Sequence, residues 1–178
     1  MGLDMYFNMK RYETVSRYRL KEGAKVPENF YPAELKGLQE HIFERNFLGK
    51  DCSYGVGYFR KFNALHNWIV KNCANGVDEC QEIILKRSDI EKILFICKEI
   101  QSDHSKAPKL MPTGAGFFFG STEYDDWYFE DIDCAIDLMT EILKVLDEEA
   151  KYREKIRASG EVPAVSSYSW EVIYQASW

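Results

Sequence analysis

The chain has 178 residues, 46% apolar and 29% charged, with a net charge of −6. At that length one globular domain spanning 1–178 is expected, needing no disulfide or metal to hold it. The composition excludes a disordered chain, and the acidic balance argues against a general nucleic-acid binder, whose footprint is a basic patch.

Aromatic residues make up 15% of the chain, enough for a heavily packed core or an aromatic-lined pocket or interface. No apolar run is long enough to cross a bilayer and no signal-peptide pattern is present, so a cytoplasmic protein with no membrane partner is expected. Tyr6 stands where a myristoylation pattern needs Ser or Thr. Cys52, Cys73, Cys80, Cys97 and Cys134 are odd in number and lack CxxC spacing, which reads as reduced, mostly buried thiols. Cys73 and Cys80 lie near each other in sequence, but no nearby histidine completes a zinc set, so neither metal nor cofactor is expected. Basic charge clusters early (Lys10, Arg11, Arg17, Arg19, Lys21, Lys25) and acid after Glu123, an asymmetry suited to a partner or to homo-oligomer assembly.

In chain order, Gly2–Met9 alternates Leu3, Met5, Phe7 and Met9 with Asp4, Tyr6 and Asn8, the period of a half-buried strand. Lys10–Pro32 is charged and mixed, open to a short helix or a second strand, with breaks at Gly23 and Pro27. Ala33–Phe47 carries Leu35, Leu38, Ile42 and Phe43 at helical spacing, and Lys50–Gly57 reads as a loop. Tyr58–Cys73 reads as a helix with Phe62, Leu65, Ile69 and Cys73 as its apolar stripe, closed by Asn75-Gly76. Cys80–Leu85 is a plausible strand, and Ser88 with Glu91 forms a capping box for the helix through Ile100.

Met111–Ile132, rich in glycine, aromatics and carboxylates, reads as a loop, a short strand at Phe117–Phe119, and a helix start capped by Thr122 and Asp125. The helix that follows runs to about Arg157 with Phe129, Ile132, Ile136, Met139, Leu143 and Leu146 as its buried stripe. Gly160–Pro163 ends it, and Ser167–Ala176 alternates as a final strand. The whole reads as an α+β domain: a mainly antiparallel sheet with three or four helices packed on it and a long C-terminal helix.

Four sets of residues can carry chemistry. Arg60, Asn63, His66 and Asn67 recur at i, i+3, i+6 and i+7, offering donors, acceptors and a titratable ring. That set suits a phosphate, nucleobase or sugar; equally, the amides can brace a neighbouring loop. Thr113, Gly114 and Gly116 form a stretch whose backbone can approach a ligand, without the GK[ST] of a P-loop; a tight turn is the plainer reading. Glu123 and Tyr124 are unexplained by capping. Asp126, Glu130, Asp133 and Asp137 line one helical face, a solvated face or one facing a basic partner. No HExxH, GxSxG or Cys–His spacing names a catalytic residue.

The strings MGLDMY, VGYFRKFNALHNWIV, NGVDEC and PTGAGFFFGSTEYDDWYFEDI resemble a family of small proteins of tailed phages and prophages, usually called hypothetical. The resemblance covers most of the chain, with Lys10–Lys50 the least matched. It implies a bacterial cytoplasm during infection and no particular activity.

The expectation is a phage-type accessory protein that binds without catalysis, holding a host protein or a small anionic, nucleotide-like ligand and so countering host defence. Its ligand would sit among Arg60, Asn63, His66, Asn67, Thr113, Gly114, Gly116, Glu123 and Tyr124. One alternative is a small hydrolase or transferase acting on a nucleotide or sugar, with His66 as general acid–base helped by Asp4 or Glu123. Another is an acidic nucleic-acid mimic that blocks a host nuclease through the Asp126–Asp137 stripe.

Overall fold

A computed structural model describes residues 2–16, 26–35, 37–39, 47–160 and 162–178, the side chain of Phe47 aside. Strands β1 (Asp4–Ser16), β2 (Phe47–Arg60), β3 (Ile83–Leu85), β4 (Ser166–Ser167) and β5 (Glu171–Ser177) form one antiparallel sheet in the order β2-β1-β5-β3, with β4 beside β1. Its helices include α1 (Asn63–Cys73), α2 (Arg87–Ser102), the single turn α3 (Ala107–Leu110) and the 34-residue α4 (Asp126–Ser159). The protein is therefore α+β, with the long C-terminal helix read from its apolar spacing.

The chain divides into two compact units, the first of Met1–Met9, Tyr54–Asp147 and Glu171–Trp178, the second of Lys10–Ser53 and Glu148–Trp170. In the first, alternation on β1 buries Leu3, Met5, Phe7 and Met9. The Phe7 ring lies 5.8 Å from that of Phe59 and 5.1 Å from that of Tyr174. Ile90, Ile93, Cys97 and Ile100 of α2 and Ile132, Ala135, Ile136 and Met139 of α4 supply the apolar stripes that the helices bury. Asn75 (φ 54°) and Gly76 (φ 79°) end α1, and the Gly76 amide donates to Val70 O at 2.9 Å, closing the last turn.

The second unit has a smaller core of Val15, Phe30 and Leu48, with Val26, Tyr31 and Val165 against it. Glu13, 8% exposed, pairs with Arg11 and, at 3.4 Å, with Lys50. The Arg11 guanidinium lies 4.2 Å over the Trp170 ring. Arg17, Arg19, Lys21 and Lys25 of the basic cluster, the break at Gly23, and His41, Ile42 and Phe43 of the expected Ala33–Phe47 helix lie outside the described residues. Of that helix, Ala33–Leu35 is a 3-10 turn and residues 37–39 are α-helical.

Several elements differ from the sequence reading. β1 continues to Ser16. The stretch Lys50–Gly57 is not a loop but part of β2. Of the glycines in β2, Gly49 makes room for the Tyr12 ring and Gly57 for the Leu138 side chain. Tyr58–Arg60 complete that strand, so α1 begins only at Asn63, after a left-handed Lys61 (φ 65°) turns the chain. Phe117–Phe119 is a turn rather than a strand: the Phe119 amide donates to Gly116 O at 3.2 Å and Gly120 takes φ 88°.

The caps shift as well. Asp89, not Glu91, closes the box of α2 by accepting the Lys86 amide at 2.9 Å, while Glu91 pairs with Arg87. Asp125 alone caps α4, accepting the Tyr128 amide at 3.1 Å, because the helix starts at Asp126. The Cys80–Leu85 strand shortens to Ile83–Leu85, and the last strand is interrupted between β4 and β5. All five cysteines are free thiols, two of them buried, and Cys134 is exposed on α4.

Candidate functional site

The turn from β2 into α1 and the loop ahead of α4 enclose a cavity of about 280 Å³ within the first unit. Arg60 and Lys61 stand at the end of β2, and Phe62, Asn63 and Ala64 at the start of α1. Thr113, Ser121 and Glu123 come from the loop, and Asp125, Trp127, Tyr128 and Asp131 from the cap and first turns of α4. The fold sets this up locally. The Lys61 amide donates to Leu3 O at 2.8 Å and the Leu3 amide to Phe118 O at 3.0 Å, so the start of β1 ties both walls together. A Cβ on Gly120 would meet the Lys61 Cβ at 2.9 Å, so the loop lies directly on the lysine stem.

Asn63 is 3% exposed and holds the loop in place. Its Nδ2 donates to Phe119 O at 3.0 Å and to Ser121 O at 2.8 Å, and its Oδ1 accepts the Gly114 amide at 2.9 Å. The plainer reading of this residue, an amide bracing a glycine loop, describes what it does here. Asn67 packs against Gly114, where any Cβ would collide with its side-chain amide. Tyr124 accepts the Thr113 amide at 3.3 Å through its hydroxyl, and its ring lies 5.0 Å from that of Tyr128. A Cβ on Gly116 would strike the Phe119 ring at 2.7 Å.

His66, the titratable ring of the predicted set, lies 1% exposed beneath this layer. Its Nδ1 meets the Tyr174 hydroxyl at 2.7 Å and its Nε2 meets Asp78 Oδ2 at 3.0 Å. Phe119 and Trp178 pack on the ring at 5.2 and 5.9 Å between centroids. With both nitrogens taken, it offers nothing to the cavity. Of the residues named for the hydrolase reading, Glu123 lines the cavity, whereas Asp4 accepts the Tyr58 hydroxyl at 2.5 Å.

The structure therefore sorts the predicted set. Arg60, Asn63, Thr113 and Glu123 line the cavity, Arg60 from the strand rather than from the helix. His66, Asn67, Gly114, Gly116 and Tyr124 stand behind the wall as supports.

Lys61 and Asp131, which also line the cavity, are missed by sequence reasoning. A signal existed for Asp131: Tyr128 at i−3 and Ala135 at i+4 are both buried, so the carboxyl is carried on the edge of the apolar stripe. Burial, then Glu130 and Asp125 beside it, pushes the Asp131 carboxyl up to about 6. Burial also raises the Tyr128 hydroxyl, which donates to Met111 O at 2.8 Å. Trp127 is 75% exposed at the rim.

Chemically, the cavity joins two permanent cations and a helix N-terminus that has no side-chain cap to three carboxylates and an indole. The N-terminus of α1 and the guanidinium favour an anionic group. The carboxylates favour hydrogen-bond donors, and the indole favours a flat ring. Among the described residues, no cluster of three or more His, Cys, Asp or Glu is arranged to hold a metal ion. Asp126, Glu130, Asp133 and Asp137 are all exposed on α4, and Gln101 donates to Asp133 at 2.7 Å. Among the described residues, no helix is long and apolar enough to cross a membrane. Comparison with family models, with curated proteins and with solved structures finds no match to this chain.

Proposed function

We propose that this protein is a non-catalytic binder of a small nucleotide-like ligand, seated in the cavity between the start of α1 and the start of α4. The observation that carries the reading is the pairing of opposite chemistries in about 280 Å³: Arg60 and Lys61 on one element, Glu123, Asp125 and Asp131 on another, with Trp127 at the rim. A mononucleotide has the matching parts. Its phosphate suits the cations and the uncapped helix N-terminus. Its base offers ring N–H and amino donors to carboxylates and a flat face to an indole. The volume stands near the lower end for small-molecule pockets, which sets mononucleotide size as the upper limit.

The same geometry supports binding rather than turnover. The buried His66 is engaged on both sides, the Thr113 hydroxyl donates to Thr122 O at 2.8 Å, and the Ser121 hydroxyl accepts the Glu123 amide at 3.1 Å. An accessory protein that sequesters a nucleotide signal fits the phage setting that the sequence resemblance implies.

Isothermal titration with a panel of nucleoside monophosphates, nucleosides and inorganic phosphate tests this. At least one monophosphate is expected to bind more tightly than its nucleoside or phosphate alone. Arg60→Ala and Trp127→Ala are each expected to weaken it roughly tenfold, about 1.4 kcal/mol. No heat with any nucleotide up to about 1 mM would sink the reading. Conversion of the nucleotide during the titration would replace binder with enzyme.

A further inference from the structure

Trp127 and Asp131 both line the cavity and stand at i and i+4 on α4. That spacing puts them on one face of the helix, one turn apart, with their Cβ atoms about 5–6 Å from each other. The indole, exposed at the rim, offers a flat face to a ring. The carboxyl is half-buried. Tyr128, on the same turns, has already given its hydroxyl to Met111 O at 2.8 Å, so the carboxyl is left as the polar reader of whatever lies on the indole.

Asp131 differs from the carboxylates near it. Asp125 accepts the Tyr128 amide at 3.1 Å, and Asp133 accepts the Gln101 side chain at 2.7 Å. What acts on Asp131 is burial, then the charges of Glu130 and Asp125, and all three oppose its ionisation, raising it to about 6. Above that pH the group is ionised and can only accept. It gains most from a ligand that brings two donors to it at once.

Two such donors side by side single out one common base. Guanine carries N1–H next to its N2 amino group, and a carboxylate accepts both in the plane of the ring. Uracil flanks one N–H with two carbonyls. Adenine and cytosine set an amino group beside a ring nitrogen whose lone pair faces the carboxylate. Each of these brings an acceptor against an acceptor, and a polar site discriminates strongly against a group that leaves its own unpaired. The two rings of a purine also cover more of an indole than the single ring of a pyrimidine. Arg60 and Lys61, on the other wall, remain for the phosphate.

We infer that the ligand of this cavity is a guanine nucleotide, its base stacked on Trp127 and its N1–H and N2 amino group donated to the Asp131 carboxylate, an assignment that rests on the cavity being a nucleotide site.

Isothermal titration of the whole chain at about pH 7.5, where Asp131 is ionised, compares GMP with IMP, XMP, AMP, CMP and UMP. GMP is expected to bind most tightly, roughly tenfold ahead of AMP and of IMP, which lacks only the N2 amino group. Asp131→Asn keeps the size of the side chain but sets a donor beside an acceptor. Its Oδ1 accepts N1–H and its Nδ2 donates to the C2 carbonyl of xanthine. The variant should therefore weaken GMP roughly tenfold and make XMP the preferred ligand. A residue that merely shaped the wall would change all six nucleotides alike. Equal affinity for GMP and IMP, tighter binding of any other base, or an Asp131→Asn loss that is the same for every nucleotide overturns the guanine assignment and leaves the nucleotide site standing. No heat with any of the six up to about 1 mM removes the site itself, and the assignment with it. Should Asp131→Asn fail to fold, the comparison of GMP with IMP on the parent chain decides alone.

Discussion

Asn63 and Asp131 both border the same cavity, yet one is fully engaged by the protein and the other is not. Asn63 gives its two donors and an acceptor to the backbone of the 114–121 loop. Asp131 is pushed up to about 6 because burial and neighbouring carboxylates oppose its charge. The difference teaches where to look for function in a polar cluster. A buried amide whose bonds all go to one loop builds the wall. A carboxyl held at some cost beside a cavity can gain from a ligand that brings donors.

Three substitutions test that contrast, from the largest effect to the smallest. Asn63→Ala leaves a buried amide and two loop carbonyls without their partner. Urea denaturation should show a loss of about 3 kcal/mol, since each unmet buried group costs about 1–3 kcal/mol. A loss below about 1 kcal/mol would mean that the loop does not depend on this brace.

Asp131→Asn comes next, and its effect is read against pH. The folded-state value of about 6 lies above the ordinary 3.8, so the folded protein holds this proton more tightly than the unfolded chain. The contribution of Asp131 to stability is then greatest below pH 3.8, falls as pH rises through the window from 3.8 to 6, and stays lower above it. Asn removes that decline. Discounted for the solvent screening of a half-buried group, the gain at neutral pH should be about 1 kcal/mol. Melting curves across this window check it, and an unchanged slope would show that another group is responsible.

Trp127→Ala should be the mildest, within about 0.5 kcal/mol of the parent in the same urea assay, because an exposed ring loses little burial. Its effect belongs on ligand affinity instead. If it destabilised the fold as much as Asn63→Ala, the distinction between wall and support would collapse.

Much of the scaffold was legible because its signals are local. The alternation from Leu3 to Met9 marks β1, and the apolar spacing from Ile132 to Met139 marks the buried face of α4. The Asn75-Gly76 stop held for the same reason, as the left-handed conformation it favours is a property of those residues. The misreadings come from places where two local signals compete. Residues 58–60 precede a good helical stripe and read as part of it, although the left-handed Lys61 separates strand from helix. Phe117–Phe119 has strand-like side chains, but their backbone bonds go to Leu3, Asn63 and Gly116 rather than to a neighbouring strand.

The candidate site was half legible. The asparagine, histidine and arginine were singled out by type and spacing, and spacing cannot say which of them faces out. His66 is buried because Asp78 and Tyr174 reach it from other parts of the chain, Tyr174 from 108 positions away. The cavity exists because residues 60–64 and 121–131 converge, tied by Leu3 to the first strand.

By itself, the sequence determined the α+β class, the strand at the start, the long C-terminal helix and its buried face, because periodicity acts over a few residues. Only the tertiary structure decided which polar groups are braces and which line a cavity. Burial and hydrogen-bond satisfaction depend on partners far apart in the chain, and no local pattern encodes them.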